Sequence, residues 1–277
     1  MTEAAALNQW YTLGALQDFP QGLSSRRLLG TELAVTRHGD SFSVPGAHVR
    51  TDYNHLWVTR GKPDRFFDIP ESRETDRRAV YCGAVRVRAS GLRLIENFLD
   101  LAHFPYVHTD ILGVEEKPEV ARYEVEQRRD VDELWATKCE FFQPRAAASA
   151  EGGQMSQYMY RVVTPFNVML YKTPPTAPNR WDVVALFVQP VEEEVSIAHP
   201  YMLVIDDIST DAELIGFQQM IFLQDKIVLE NQRPRLLPLQ PGRETPTRAD
   251  LSSVLYRRWL KEKQLTYGTE KRDDVFA

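Results

Sequence analysis

Through the middle of the chain run three blocks, Ala121 to Phe142, Ser156 to Thr173 and Arg180 to Ile205, in which apolar residues alternate with polar ones. Strings such as "YMYRVV", "FNVMLYK" and "WDVVALFVQ" carry the β-branched and aromatic side chains that suit a pleated, half-buried surface, and such long alternation marks an antiparallel sheet. The period then changes. Between Asp211 and Gln232 the residues Leu214, Phe217, Ile221 and Val228 recur at helical spacing, which predicts a long helix closed by Pro234. A last helix is predicted from Arg248 through "VLYRRWLKEKQL". This order of elements fits an α+β fold in which an antiparallel sheet wraps around or against one long helix.

Upstream, short β-like pieces ("RRLLGTELAVTR", "SFSV", "HLWVTR") are separated by turn signals at His38-Gly39-Asp40 and Pro45-Gly46. They predict a small β module over residues 1–68, ahead of a larger domain over residues 69–277. The polar, proline-bearing stretch "GKPDRFFDIPESRETDRR" reads as a connection across the surface, and Ala79 through "VRVRAS" as one strand. A net charge of −6 with intermixed signs argues against non-specific nucleic-acid binding, and no apolar run is long enough to span a bilayer. The expected location is the cytoplasm. The two cysteines, Cys82 and Cys139, are far apart and suggest neither a disulfide framework nor a thiolate metal site.

The stretch "ENFLDLAHFPYVH", Glu96 to His108, sets His103 and His108 five residues apart in a run made for burial. Two imidazoles with one carboxylate on one face of a metal form the site of non-haem Fe(II) oxygenases, although a pair of core or helix-end histidines has the same spacing. Asp100 is expected on the same helical face as His103, and Pro105 to interrupt the helix so that His108 swings back. In "QQMIFLQDKIVLENQ", Asp225 has apolar residues one turn to either side, and a buried carboxylate needs a cation: a metal, or else Lys226 or an arginine. Glu230 and Gln232 read as the solvated face. Gln218, two turns before Asp225, is either an ordinary surface amide or a donor and acceptor aimed into the same cavity, with Phe166, Met169 and Phe217 as candidate walls.

These residues resemble a family. "ENFLDLAHFPYVH" and "FLQDKIVLENQRP" are similar, in order and separation, to the two iron-site motifs of the catalytic α-subunits of Rieske-type non-haem iron oxygenases. "NQWYTLGALQDFPQG" and "RRLLGTELAVTRHGD" resemble their opening strands, and "VLYRRWLKE" their closing helix. The resemblance implies a helix-grip catalytic domain, a mononuclear Fe(II) held by His103, His108 and Asp225, and dioxygen as co-substrate. It makes Asp100 the carboxylate that bridges to a Rieske cluster and Asn97 a supporting partner.

One departure is large. Family members hold a [2Fe-2S] cluster through CxH and CxxH pairs, and this chain has neither. After "TRHGDSFSV" it passes almost directly to "HVRTDYNHLWVTRG", and His38, His48 and His55 cannot replace the missing thiolates. The N-terminal module therefore reads as a remnant without cluster loops, and the electrons are expected in trans. The chain looks most like the component of the methylxanthine N-demethylase system that acts at N7 of 7-methylxanthine. That component relies on an NADH-dependent flavin and iron-sulfur reductase with an additional Rieske centre, and on an accessory protein of glutathione-S-transferase type. The implied reaction hydroxylates an N-methyl group, which leaves as formaldehyde. The alternatives are O-demethylation of a methoxylated aromatic and a non-catalytic ligand-binding or scaffolding subunit.

Overall fold

The structure, a computed structural model, describes residues 2–271 apart from Asp64, Glu151, Thr176 and Pro178. A single-turn helix α1 (Ala4–Leu7) precedes the N-terminal module, in which β1 (Tyr11–Ala15), β2 (Gly22–Leu28), β3 (Thr31–His38), β4 (Ser41–Ser43), β5 (His48–Asp52) and β6 (His55–Thr59) form two three-stranded sheets, β1-β6-β5 and β2-β3-β4. The turn signals do what glycine permits there: Gly39 and Gly46 adopt φ of +60° and +73°.

β7 (Arg78–Tyr81) and β8 (Val85–Val87) follow, divided at Gly83, where a single strand was expected. Both pair with β14 (Val195–Val204). Each alternating block of the sequence is a hairpin or half of one: β9 (Glu124–Arg128) with β10 (Glu133–Gln143), β11 (Gln154–Thr164) with β12 (Asn167–Lys172), and β13 (Asp182–Glu192) with β14. Together they make one antiparallel sheet of eight strands in the order β7-β14-β13-β12-β11-β10-β9, with β8 beside β14.

Both faces of this sheet are covered. Outward residues such as Met169, Tyr171, Phe187 and Tyr201 bury against Trp57, Phe67 and Ile69. The stretch read as a surface connection thus lends Phe67 and Ile69 to a second core, because two aromatic rings and an isoleucine on a short polar segment gain more by burial than by exposure. Inward residues face α2 (Gly91–Leu99), α4 (Asp211–Asn231) and α5 (Leu251–Glu262), with the single turn α3 (Phe104–Val107) between the first two.

The helix lying closest over the middle of the sheet is α2. A β-carbon on Gly91 would sit 2.9 Å from Val188 and 3.1 Å from Phe166, so only glycine permits that approach. The longer α4 reaches across the β7 and β8 edge. Its start is fixed by a capping box, Thr210 accepting from the Glu213 amide while the Glu213 carboxylate accepts from the Thr210 amide. Among the described residues no helix is long and apolar enough to cross a membrane.

Candidate metal centre

The segment expected to be one interrupted helix is two. α2 stops at Leu99 because Asp100 turns to an extended conformation and its carboxylate accepts the amide of Ala102 at 2.8 Å. Pro105 then lies in the first turn of α3, where the missing N–H costs nothing. His103 sits just before that turn and His108 just after it, so the two rings converge although no continuous helix carries them. Asp100 still reaches His103, through the turn rather than along a helical face: its Oδ2 is 3.1 Å from Nδ1.

Asp225 closes the group from α4. Nε2 of His103 and Nε2 of His108 are 3.1 Å apart, and Oδ1 of Asp225 lies 3.3 Å from the first and 3.1 Å from the second. Ligand atoms about 2.1 Å from a metal and at right angles to one another stand about 3.0 Å apart, which matches this triangle. Asp225 Oδ1 is buried without a satisfactory hydrogen bond. The alternative cation is engaged elsewhere, since Lys226 pairs with Glu230 at 3.1 Å. Glu230 is no free surface residue either: it also accepts the Arg88 amide at 3.0 Å, tying α4 to the sheet edge.

Both imidazoles have their remaining nitrogen fixed. Nδ1 of His103 is held by Asp100, and Nδ1 of His108 by Oε1 of Gln224 at 2.8 Å. Such partners select the tautomer that leaves Nε2 free to bind a metal. Without a metal the charges settle among themselves. Burial opposes a charged His103, but its hydrogen bond to Asp100 and the negative charges of Asp100 and Asp225 outweigh it and raise its pKa to about 9. Burial likewise opposes ionisation of Asp225, and the two histidines overcome it, holding its carboxyl below the usual range. A buried set of two imidazoles and one carboxylate, with an orphaned oxygen at its centre, fits a divalent metal better than it fits itself.

The triad opens into a partly open cavity whose walls are mainly apolar. Phe98, Phe104, Phe217, Phe222, Leu170 and Leu186 are among its apolar walls. Gln218, Phe217 and Asn97 line it. Phe166 and Met169 do not. Phe166 is fully buried beneath α2, with its ring 5.2 Å from Tyr11. Met169 points to the outer face, since the alternation of β12 turns Leu170 inward instead.

Sequence reasoning passed over Gln224, which adjoins Asp225, and three polar residues of the inward sheet face, Gln143, Tyr158 and Lys172. Lys172 carried a signal, as the third inward residue after Val168 and Leu170 in "FNVMLYK". On the far side of His103, Asp100 keeps 28% of its side chain exposed and lines a surface groove together with Arg93, Asn97, Arg257, Arg258 and Lys261.

Comparison with known proteins gives the family. Residues 87–265 match the family model described as "Vanillate O-demethylase oxygenase C-terminal domain". A curated relative from Pseudomonas sp. (strain TJI-51), described as "Probable methylxanthine N7-demethylase NdmC", is 46% identical over 273 residues, covering 96% of this chain and 97% of its own. Among solved structures, Pseudomonas putida CBB5 NdmA with caffeine superposes with a TM-score of 0.77 at 17% identity, over 96% of this chain and 93% of that one. NdmB of the same organism gives 0.75 at 17% identity over 94% and 92%. Dicamba monooxygenase bound to dicamba gives 0.74 at 17% identity over 94% and 98%. At such identity these structures speak for the fold; the family match and the near full-length relative carry the identification. The chain belongs to the Rieske-type oxygenases, as a catalytic component of the demethylating, monooxygenase kind.

Proposed function

We propose that this chain is the mononuclear Fe(II) component that N-demethylates 7-methylxanthine to xanthine, with electrons drawn from a Rieske cluster on a separate protein. The observation that carries the reading is the convergence of His103 Nε2, His108 Nε2 and Asp225 Oδ1 on one point of an aromatic-walled cavity. The iron, when bound, supplies dioxygen activation and oxidation of a methyl C–H bond. In the balanced reaction the N-methyl group takes one atom of dioxygen and becomes an N-hydroxymethyl group, while two electrons and two protons carry the other atom to water. The N-hydroxymethyl compound then parts at its N–C bond, the hydroxyl proton passing to the nitrogen, to leave the free ring N–H and formaldehyde.

The chain's own residues perform the rest. His103, His108 and Asp225 fix the metal at the inner wall of the cavity, while Asp100 and Gln224 keep both imidazoles turned towards it. Phe98, Phe104, Phe217 and Phe222 exclude water and accept a flat ring, and Gln218 offers an amide to its polar edge. The relative's description as a methylxanthine N7-demethylase supports the choice of substrate.

Electron supply in trans follows from the cysteines. Cys82 and Cys139 are both buried, and burial pushes each thiol up to about 12, the opposite of what a cluster ligand requires. Free buried thiols also accord with a cytoplasmic setting. The groove beside Asp100 is the surface through which a Rieske-bearing, NADH-dependent reductase reaches His103, with an accessory protein of glutathione-S-transferase type completing the complex. The N-terminal module, residues 1–68, serves as the remnant that caps the sheet.

The test pairs metal analysis with turnover. Anaerobically prepared protein should hold about one iron per chain, lost in His103→Ala and Asp225→Ala, with no iron-sulfur absorbance. With the reductase it should release formaldehyde from 7-methylxanthine. Iron without formaldehyde, alongside formaldehyde from vanillate, would move the reading to O-demethylation of methoxylated aromatics. Iron-free protein indistinguishable from both variants would leave a ligand-binding or scaffolding subunit.

A further inference from the structure

The sheet wall of the metal cavity is not uniformly apolar. Gln143 ends β10 on the inward face and is only 1% exposed, yet its Oε1 has no hydrogen-bond partner. Tyr158 on β11, also 1% exposed, has a hydroxyl beside Ser156 with no partner at hydrogen-bonding geometry. Lys172 on β12 stands opposite Tyr158 in register, and its ammonium group donates to the backbone carbonyl of Ala146. No carboxylate among the described residues forms an ion pair with it. All three line the same cavity as the triad.

Buried polar atoms are ordinarily satisfied, because each one left unpaired costs about 1–3 kcal/mol. Two of them beside a buried lysine, on the inner wall of the cavity that the triad opens into, are kept for something that enters it. We propose that Gln143, Tyr158 and Lys172 determine specificity by reading a ring edge in which a carbonyl adjoins an unsubstituted N–H, a reading that rests on the demethylase function above.

The chemistry of the three groups sets the class. Whichever way its amide is turned, Gln143 offers one acceptor and one donor side by side, which pairs with a –CO–NH– edge through two hydrogen bonds. Lys172 only donates, so it faces a carbonyl. Burial pushes its pKa down to about 8, the nearby Asp182 carboxylate opposing, so the amino group keeps its proton at neutral pH. Tyr158 can donate or accept. Methylating the ring nitrogen of such an edge removes the donor and sets a methyl group against a buried amide oxygen. The cavity therefore selects rings that still carry free ring N–H groups over fully N-methylated ones.

The test is calorimetric titration of the full chain under nitrogen with 7-methylxanthine, which keeps two ring N–H groups, and with 1,3,7-trimethylxanthine, which has none. The parent should favour 7-methylxanthine by about tenfold or more, as expected when a buried acceptor loses its donor. Gln143→Met, which replaces an unsatisfied amide by an apolar chain of similar shape, should bring that preference close to one. Lys172→Met should weaken both ligands by about tenfold, since both carry the carbonyls. Metal content and melting temperature should be unchanged in Gln143→Met. Parent affinities and preference carried unaltered into both variants would overturn the proposal alone. A parent that binds neither xanthine would overturn the methylxanthine reading and this proposal together.

Discussion

Gln224 and Asp225, successive residues of α4, hold opposite edges of one ring: the amide bonds Nδ1 of His108 at 2.8 Å and the carboxylate stands 3.1 Å from Nε2. The helix would thereby supply one ligand of the proposed iron and orient another. Gln224→Leu should lower iron affinity by about 10–100-fold, while Gln224→Glu, which keeps an acceptor for Nδ1, should restore most of it. Iron binding in Gln224→Leu equal to that of the parent, measured by competition with a chelator, would remove the residue from the site.

Asp100 has two duties that substitution can separate. Its carboxylate orients His103 and caps the turn at Ala102, and its outer edge is exposed at the groove. Asp100→Asn keeps an acceptor of the same shape, so iron content should stay near that of the parent while turnover with the reductase falls by about 100-fold. Asp100→Ala should also loosen the iron by about tenfold. If Asp100→Asn turns over normally with the reductase, the carboxylate has no part in electron delivery.

Gly113 supports the histidine turn from behind. A β-carbon there would lie 2.7 Å from the Pro105 nitrogen and 2.9 Å from the Phe104 carbonyl carbon, both backbone atoms with nowhere to go. Gly113→Ala should therefore displace α3, separate His103 from His108 and cost about 1–3 kcal/mol of stability. A loss of iron larger than the loss in chemical-denaturation stability is the outcome to look for. Parent-like iron content would mean that the loop yields without disturbing the ligands.

A second pair of histidines makes the fold acid-sensitive in metal-loaded protein. His55, fully buried between the N-terminal module and the sheet, has its pKa lowered to about 4 by burial, and burial together with the nearby His55 charge holds His199 well below its usual value. A neutral buried histidine contributes stability that is intact above the unfolded pKa near 6.5 and is lost as pH falls towards the folded value. At pH 5 His55 alone should cost about 2 kcal/mol. Asp182, raised to about 6 by burial, acts in the opposite sense between pH 6 and 4 and recovers part of that. The urea midpoint should be flat from pH 8 to 7 and decline below 6.5; a flat profile down to pH 5 would show that the histidine cavity admits water.

The hairpins were legible because Ser156 to Thr173 holds one period over many residues; the long helix was legible although only Leu214, Phe222 and Leu229 of its apolar residues are buried and Val228, expected on the buried stripe, is exposed. Breaks in that period were not. Nothing in "AVYCGAVRV" marks Gly83 as the point where two strands part, and nothing in "FLDLAHFPYVH" shows that Asp100 ends the helix before Pro105 can. His103, His108 and Asp225 drew notice as residues costly to bury unpaired, and the family resemblance joined them into one proposed ligand set. Gln143, Tyr158 and Lys172 escaped notice, since a polar residue in an alternating strand looks solvated until pairing shows that its face is covered. Met169 and Phe166 were misplaced for the same reason.

The eight-stranded sheet has no dry side to spare. The strand that turns Leu170 and Lys172 towards the cavity turns Met169 and Tyr171 towards Trp57 and Phe67. A truncation that began at residue 69 would strip Trp57 and Phe67 from Phe187, Tyr201 and Met169, and leave an aromatic slab in water. The N-terminal module thus has a mechanical reason to persist whatever chemistry it carries. Anyone cutting the chain down to its metal-binding half would be removing the back wall of the room that holds the substrate.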